Sequence, residues 1–389
     1  MSRLTGRALW IWAHKWLGLS LGAVMALMGL TGSVNVFYRE LDVLLHPTLF
    51  RATSGSQQIG SSEAFRIARA AVPEPVNFLY APDSVWPVWT GFFRRHGEIW
   101  NLTIDPGSGR ILGIRDPGHS LIHIIYQLHS NLLLAPWWGE QIVGVLGILL
   151  LLMIGSGLWL WWPRRGLLAA LLRLRTHPRQ IFYADLHALA GIWTAIMLMV
   201  VATTGAAVVF PGLIRPVVRL ASPVSPVPSP TIIAPPDKPF TIDSDRAVAV
   251  ALKAEPTETL RYVMWPSESG QNGHAGAWQI GLRWQKGSTA ELVTGSVWID
   301  PWSGAILASR VPGRETGGEH AIDLLLWIHN GSALGWPGRI AVFLSGLSLP
   351  LLFVSGLLLW VRKRRIRQRA EQKRRNSLES RAGNNLHPL

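Results

Sequence analysis

Four mainly apolar runs, near residues 10–37, 140–162, 184–210 and 338–360, restrict this 389-residue chain more than any other feature. Each reaches the length of about 20 residues that carries a helix across bilayer hydrocarbon. A helix suits that setting because it satisfies every backbone polar group internally. The runs also come in two copies. His14 opens HKWLGLSLGAVMALMGLTGSVNVF and His187 opens HALAGIWTAIMLMVVATTGAAVVF, with Thr31-Gly32 and Thr204-Gly205 in the same register. LHSNLLLAPWWG around His129 matches IHNGSALGWPG around His329, and each leads to a run ending at Gly157-Leu-Trp-Leu-Trp or Gly356-Leu-Leu-Leu-Trp. The sequence therefore predicts a membrane α-helical protein with four transmembrane helices in two parallel repeats, each running out and back in the same sense.

Charge sets the expected orientation. Segments 1–9, 163–182 and 361–389 hold 17 of the 37 Lys and Arg but only two of the 23 acids, so essentially all of the net charge of +14 lies on one side. Both termini and the middle loop are expected in the cytoplasm and the two long connections outside it. The tail RKRRIRQRAEQKRR directly follows a span, and so reads as topogenic or lipid-contacting rather than as a nucleic-acid site. Arg3 and Arg7 before the first run resemble a signal peptide, but the run is too long and no small-x-small cleavage site follows, so a permanent helix is expected. The absence of cysteine excludes iron–sulfur clusters, disulfides and C-x-x-C-H haem attachment. No G-x-G-x-x-G follows a strand, so no nicotinamide or flavin domain is encoded.

The expected organisation is a first transmembrane helix (1–39), an outer domain (40–118), a pre-span helix and second transmembrane helix (119–163), and a cytoplasmic loop (164–182). A third transmembrane helix (183–212), a second outer domain (213–319), a pre-span helix with the fourth transmembrane helix (320–361) and a basic cytoplasmic tail (362–389) complete it. The first outer domain reads as a helix at 61–72, strand-like pieces at 77–80, 86–94 and 99–104, and a turn at Asp105-Pro-Gly-Ser-Gly109. The second has a Pro-rich connection (222–239), a helix at 243–254, strand-like pieces at 260–265, 278–284 and 291–299, and a turn at Asp300-Pro-Trp-Ser-Gly304. The shared I-D-P-x-S-G turn, at Ile104 and Ile299, marks the two as copies.

A histidine inside or at the edge of a span is costly and tends to be functional. Parallel repeats set His14 opposite His187 near the cytoplasmic surface and His129 opposite His329 near the other. A haem iron takes two axial ligands, and neutral imidazole suits iron. The competing readings are interfacial histidines bonded to backbone, or a zinc-type site, which usually adds carboxylates or thiolates; none stands near His14. His119 and His123 are four apart and would share a helix face before the second span. Asp323 occupies the place of His123 in the other copy, so no symmetric pair forms there, and whether His123 takes part stays open. His46, His96, His177, His274, His320 and His387 read as surface residues. Many of the 20 tryptophans gather at span ends, as in an interfacial belt. Gly29, Gly32, Gly155, Gly157, Gly205 and Gly356 suit close helix approach.

The HKWLG-opened span with its distal Thr-Gly, the LHSNLLL…GLWLWWPRR block and the duplicated I-D-P-x-S-G turns resemble the PepSY-associated transmembrane family, over roughly residues 9–365. The resemblance implies an α+β PepSY-like extracytoplasmic domain in each repeat. Within that family the likeness is to inner-membrane ferric-siderophore reductases of the ferrioxamine-reductase type. This implies two haem b groups per chain, with His14, His187, His129 and His329 as axial ligands of the haem iron. It also implies an oxidoreductase of the bacterial inner membrane that reduces a periplasmic ferric siderophore, drawing electrons from a membrane quinol or a cytoplasmic donor. Two other readings stay open: a haem-free PepSY-type binding or regulatory protein, and a siderophore permease.

Overall fold

The computed structural model describes residues 6–53, 58–162, 167–233, 238–267, 274–284, 294–311 and 313–384. In chain order these form α1 (Gly6–Asn35), α2 (Tyr38–Leu45), α3 (Ser61–Ala71), β1 (Phe78–Tyr80), β2 (Trp89–Arg95), β3 (Glu98–Ile104), β4 (Ile111–Arg115), α4 (Leu121–Asn131) and α5 (Gly139–Trp161). There follow α6 (Leu167–Leu172), α7 (Arg179–Val209), α8 (Pro211–Arg219), β5 (Thr231–Ile233), α9 (Ser244–Ala254), β6 (Glu258–Met264) and β7 (His274–Gly276). The last are β8 (Trp278–Trp284), β9 (Thr294–Ile299), β10 (Ile306–Arg310), α10 (Gly317–His329) and α11 (Gly335–Asn384). They group into two compact units, one of residues 1–33, 145–203 and 343–389, the other of residues 34–144 and 204–342.

Four helices among the described residues, α1, α5, α7 and a helix of residues Ser332–Ser377 that contains most of α11, are long and apolar enough to cross a membrane. They fall on the four apolar runs. Within the first unit, α1 and α11 approach through small residues: a Cβ on Gly29 would strike the backbone oxygen of Gly346, and one on Gly346 the hydroxyl of Ser33. Ser33 donates its hydroxyl proton to the Phe343 carbonyl at 2.8 Å. Close backbones and interhelical hydrogen bonds are what hold helices together where lipid removes the hydrophobic drive. The segment expected as a connecting loop, 164–182, contains α6, and α7 starts at Arg179, before the apolar run begins. Arg175 ties that segment to α7 by a fork on Asp185, with contacts of 2.8 Å each. Residues 164–166 of the expected loop, and residue 163 before it, lie outside the described residues.

The second unit is built on an antiparallel eight-stranded sheet in the order β10-β9-β8-β6-β1-β2-β3-β4. The two segments expected as separate domains therefore share one sheet, joined where β1 pairs β6 (Phe78↔Met264, Leu79↔Val263, Tyr80↔Tyr262). Unjoined, each half would expose a row of unpaired backbone groups. α3 and α9 pack on one face, where Ala64, Phe65, Ala68, Ala247 and Ala251 meet Leu79, Leu102, Val263, Trp278, Ile280 and Val297. Their first turns meet, with Ser61 donating to Ser244 at 2.9 Å and to Asp245 at 2.7 Å.

The expected elements at 61–72, 77–80, 86–94, 99–104, 243–254, 260–265 and 278–284 correspond to α3, β1, β2, β3, α9, β6 and β8. The strand expected at 291–299 is described only from Thr294, and residues 234–237 of the Pro-rich connection are not described. Strands β4, β5, β7 and β10 were not expected. β4 and β10 form the two edges of the sheet and are half-exposed, so neither shows a clean alternation.

The duplicated turn has one physical explanation. In the first copy the buried Asp105 carboxylate accepts from the Thr53 and Gly107 amides and from the Thr53 and Ser108 hydroxyls. In the second, Asp300 accepts from the Trp302 and Ser303 amides and the Ser303 hydroxyl. The closing glycines, Gly109 (φ 70°) and Gly304 (φ 74°), occupy the left-handed region that only glycine enters freely.

Candidate functional site: two pairs of histidines

His14 on α1 and His187 on α7 belong to the first unit, and their ring centroids are 6.3 Å apart with planes at 86°. Each ring is held from behind by a serine. His14 Nδ1 lies 2.8 Å from Ser156 Oγ of α5. Ser156 Oγ also reaches the Met153 carbonyl at 2.9 Å, and with its proton directed there the ring nitrogen donates. His187 Nδ1 donates to the Leu352 carbonyl and to Ser355 Oγ, both at 3.0 Å, while the Ser355 proton goes to the same Leu352 carbonyl. In a neutral imidazole with Nδ1 protonated, the lone pair sits on Nε2, ready to ligate; outer hydrogen bonds of this kind fix tautomer and ring orientation in metal sites.

The residue after each serine is a glycine, and the ring lies over it. A Cβ on Gly157 would be 3.3 Å from His14 Cε1, and one on Gly356 would be 3.4 Å from His187 Cε1. The second unit repeats the device on α7: Thr204 Oγ1 is 3.3 Å from His329 Nδ1, and a Cβ on Gly205 would be 2.8 Å from His329 Cε1. His329 ends α10, and its partner His129 stands in the last turn of α4. Their ring centroids are 6.2 Å apart with planes at 43°. A serine cap (Ser120) begins α4, and a capping box between Thr316 and Glu319 begins α10. The four predicted histidines are thus brought together as the two predicted pairs.

Two metal–imidazole bonds of about 2.0–2.1 Å plus the half-widths of two rings come to roughly 6 Å. The separations of 6.3 and 6.2 Å therefore fit a single metal between the rings of each pair. With no cysteine in the chain, a group held this way is held by nitrogen alone.

The remaining histidines differ from expectation in two places. His119 lies in a short 3-10 turn (Pro117–His119) ahead of α4, so it does not share an α-helical face with His123. It contacts Asp116 at 2.5 Å instead. His46 is half-buried rather than on the surface: its Nδ1 is 3.0 Å from Asp42 and 3.1 Å from Arg115, whose fork closes on that same aspartate. His123 is half-buried, with Gln127 Nε2 at 2.7 Å from its Nε2, and Asp323 in the other copy is gripped by Arg310 at 3.0 and 2.9 Å. His96 and His177 are exposed and His320 is half-buried, contacting Glu315 at 2.6 Å. The side chain of His274 and all of His387 lie outside the described residues.

Ser156 and Ser355 were missed in the sequence. Their signal is present, as a Ser-Gly step one residue ahead of each repeated Leu/Trp run, but serine is an unremarkable residue in a membrane helix until the facing ring is known. The tryptophans at span ends, among them Trp10, Trp12, Trp137, Trp138, Trp162 and Trp336, are exposed, in keeping with a belt at the lipid–water boundary.

A family model described as the PepSY-associated TM region matches residues 11–363. Comparison with curated proteins finds no match.

Proposed function

The chain belongs to the PepSY-associated transmembrane family, and on that premise we propose that it is a di-haem b oxidoreductase that reduces a ferric siderophore and releases Fe(II). The observation that carries this reading is the pairing of four histidines at 6.3 and 6.2 Å, with Nδ1 of His14 engaged by Ser156 and Nδ1 of His187 donating to the Leu352 carbonyl. His14 and His187 would hold one haem, and His129 and His329 the other. Bound there, haem supplies a one-electron Fe(III)/Fe(II) couple without covalent attachment. Ser156, Ser355 and the Leu352 carbonyl hold the first two rings in orientation, and Thr204 does so for His329. Gly157, Gly356 and Gly205 leave each ring the room it needs.

In this reading the four spans form two parallel repeats in a bacterial inner membrane, and the basic segments place both termini in the cytoplasm. The unit with the sheet is then periplasmic, and it carries His129 and His329. Electrons enter on the side of His14 and His187 from a quinol or a cytoplasmic donor, and a ferric chelate accepts them on the side of His129 and His329. Hard oxygen donors hold the divalent ion less tightly, so reduction frees the iron. Outer-sphere transfer of this kind asks for no nucleophile or acid/base pair.

The test is a pyridine haemochromogen assay on the purified protein. About two haems per chain are expected, with His129→Ala or His329→Ala removing one and sparing the other. A colourless preparation overturns the proposal and favours a haem-free regulatory protein. Dithionite-reduced protein should also be reoxidised by ferric hydroxamate, and a His329→Ala variant should not.

A further inference from the structure

We propose that Glu98, Asp116 and His119 form a divalent-cation site. The site itself stands on geometry; only the identity of its working ion, the Fe(II) freed by chelate reduction, rests on the function proposed above.

The site is assembled by strand pairing. β3 and β4 are antiparallel with Asn101 opposite Arg115, and continuing that register brings Glu98, the first residue of β3, to the level of the Pro117–His119 turn. The ligand atoms of Glu98, Asp116 and His119 then lie within 4.8 Å of one another. Asp116 Oδ1 accepts the Gly118 amide at 2.6 Å, which aims the other oxygen at His119 Nδ1, 2.5 Å away. The carboxylate is well covered (12% exposed) while the imidazole is open to solvent (82%), so an ion reaches the site from solvent and binds by displacing the proton that His119 and Asp116 share.

One imidazole and two carboxylates suit a first-row divalent ion: the nitrogen favours it over calcium or magnesium, and two negative charges balance it. Three protein ligands leave coordination positions for water. The positive end of α4, which begins at Leu121, opposes a cation nearby. Both features make for weak, exchangeable binding, which suits a holding site and not a structural one. The matching place in the second copy is closed: Glu319, at the position of His119, spends its carboxylate on the Thr316 and Ser225 amides. The site therefore belongs to one copy alone. It also lies at one end of α4 while His129 lies in the last turn, and 11 helical residues span about 16 Å. Iron released beside His129 and His329 would find this site one short helix away.

The experiment is an EPR titration of full-length protein with Mn(II), with haem content measured on the same sample. A saturable site is expected, weakened at least about tenfold by His119→Ala or Glu98→Gln and unaffected by Glu63→Gln, a carboxylate on α3 that pairs with Arg66. Both ligands to be changed are exposed, so the fold should survive their loss. Anaerobic Fe(II) should displace the Mn(II). Absence of saturable binding, or binding indifferent to both substitutions, overturns the site; failure of Fe(II) to compete overturns its assignment to iron. Mn(II) binding in a protein without haem would leave the site standing and refute the reductase reading instead.

Discussion

Gly205→Ala is the smallest change that reaches the His129/His329 pair. The new Cβ would lie 2.8 Å from Cε1 and 3.2 Å from Nδ1 of His329. Relaxed carbon contacts fall at about 3.5–4.0 Å, so one of the two groups must retreat by roughly 0.7 Å. α7 runs unbroken through this position, so the ring moves rather than the helix. The same substitution at Gly157 or Gly356 leaves 3.3 or 3.4 Å to the facing ring carbon, and a shift of only about 0.2 Å relieves it. Overpacking on the first scale costs about 1–3 kcal/mol, which corresponds to roughly a 5- to 150-fold loss of affinity for a group held by His329. The other two alanines should cost less than about threefold, below 0.7 kcal/mol. Haem titrated into each apo-variant and followed in the Soret band measures all three. Wild-type affinity at both pairs in Gly205→Ala, or a larger loss in Gly157→Ala than in Gly205→Ala, would refute the argument that ring clearance over these glycines is what the site requires.

Ser156→Ala and Ser355→Ala should each lower haem retention at the His14/His187 pair by about 10- to 100-fold, with threonine at either position restoring much of it; loss confined to the other pair would contradict the assignment. Leu132 and Leu133 sit in the left-handed region (φ 56° and 59°), where a side chain costs roughly 1–2 kcal/mol. Leu133→Gly should therefore raise the thermal midpoint, and a lowered midpoint would show that contacts of this half-exposed leucine outweigh the strain. Burial works to raise the pKa of Asp105, but hydrogen bonds from Ser108, Thr53 and Gly107 outweigh it and hold the carboxyl far below the ordinary range. Its stabilisation is complete above the unfolded value of about 3.9 and is lost as pH falls through the lower folded value. Asp105→Asn should cost about 1.5–3 kcal/mol at neutral pH and flatten the acid limb of a denaturation curve; an unchanged limb would refute the role given to this turn.

The spans, with His14 and His187 on them, were legible because a bilayer leaves few solutions: a helix long enough to cross is mainly apolar, and an ionisable group on it stands out; His129 and His329, on the short helices α4 and α10, were legible because the motifs around them repeat. The I-D-P-x-S-G turn was legible because its chemistry is local, with aspartate, serine and glycine satisfying one another within a few residues. β1 was visible as a strand, but its three residues could not announce that they pair with β6, nearly two hundred positions away. Edge strands β4 and β10 lack alternation because one side of each has no neighbour to bury it. His46 read as a surface residue because its partner Arg115 is brought to it only by the sheet. Ser156 and Ser355 became recognisable once α1 met α5 and α7 met α11, since a serine's hydrogen bond to a ring depends on which helix faces it.

What the sequence determined by itself was whatever depends on chain-local period, length and polarity: the four apolar helices, the repeated motifs, the capped turns and the identity of the histidines. What only the tertiary structure decided was the pairing of surfaces: one sheet in place of two domains, the Ser-Gly and Thr-Gly steps beneath the rings, and the distances between the histidines. The physical reason is that local patterns are enforced by backbone geometry and solvent within a turn or two. Long-range pairings are chosen instead by the complementarity of faces that are far apart in the chain and carry no signal until they meet.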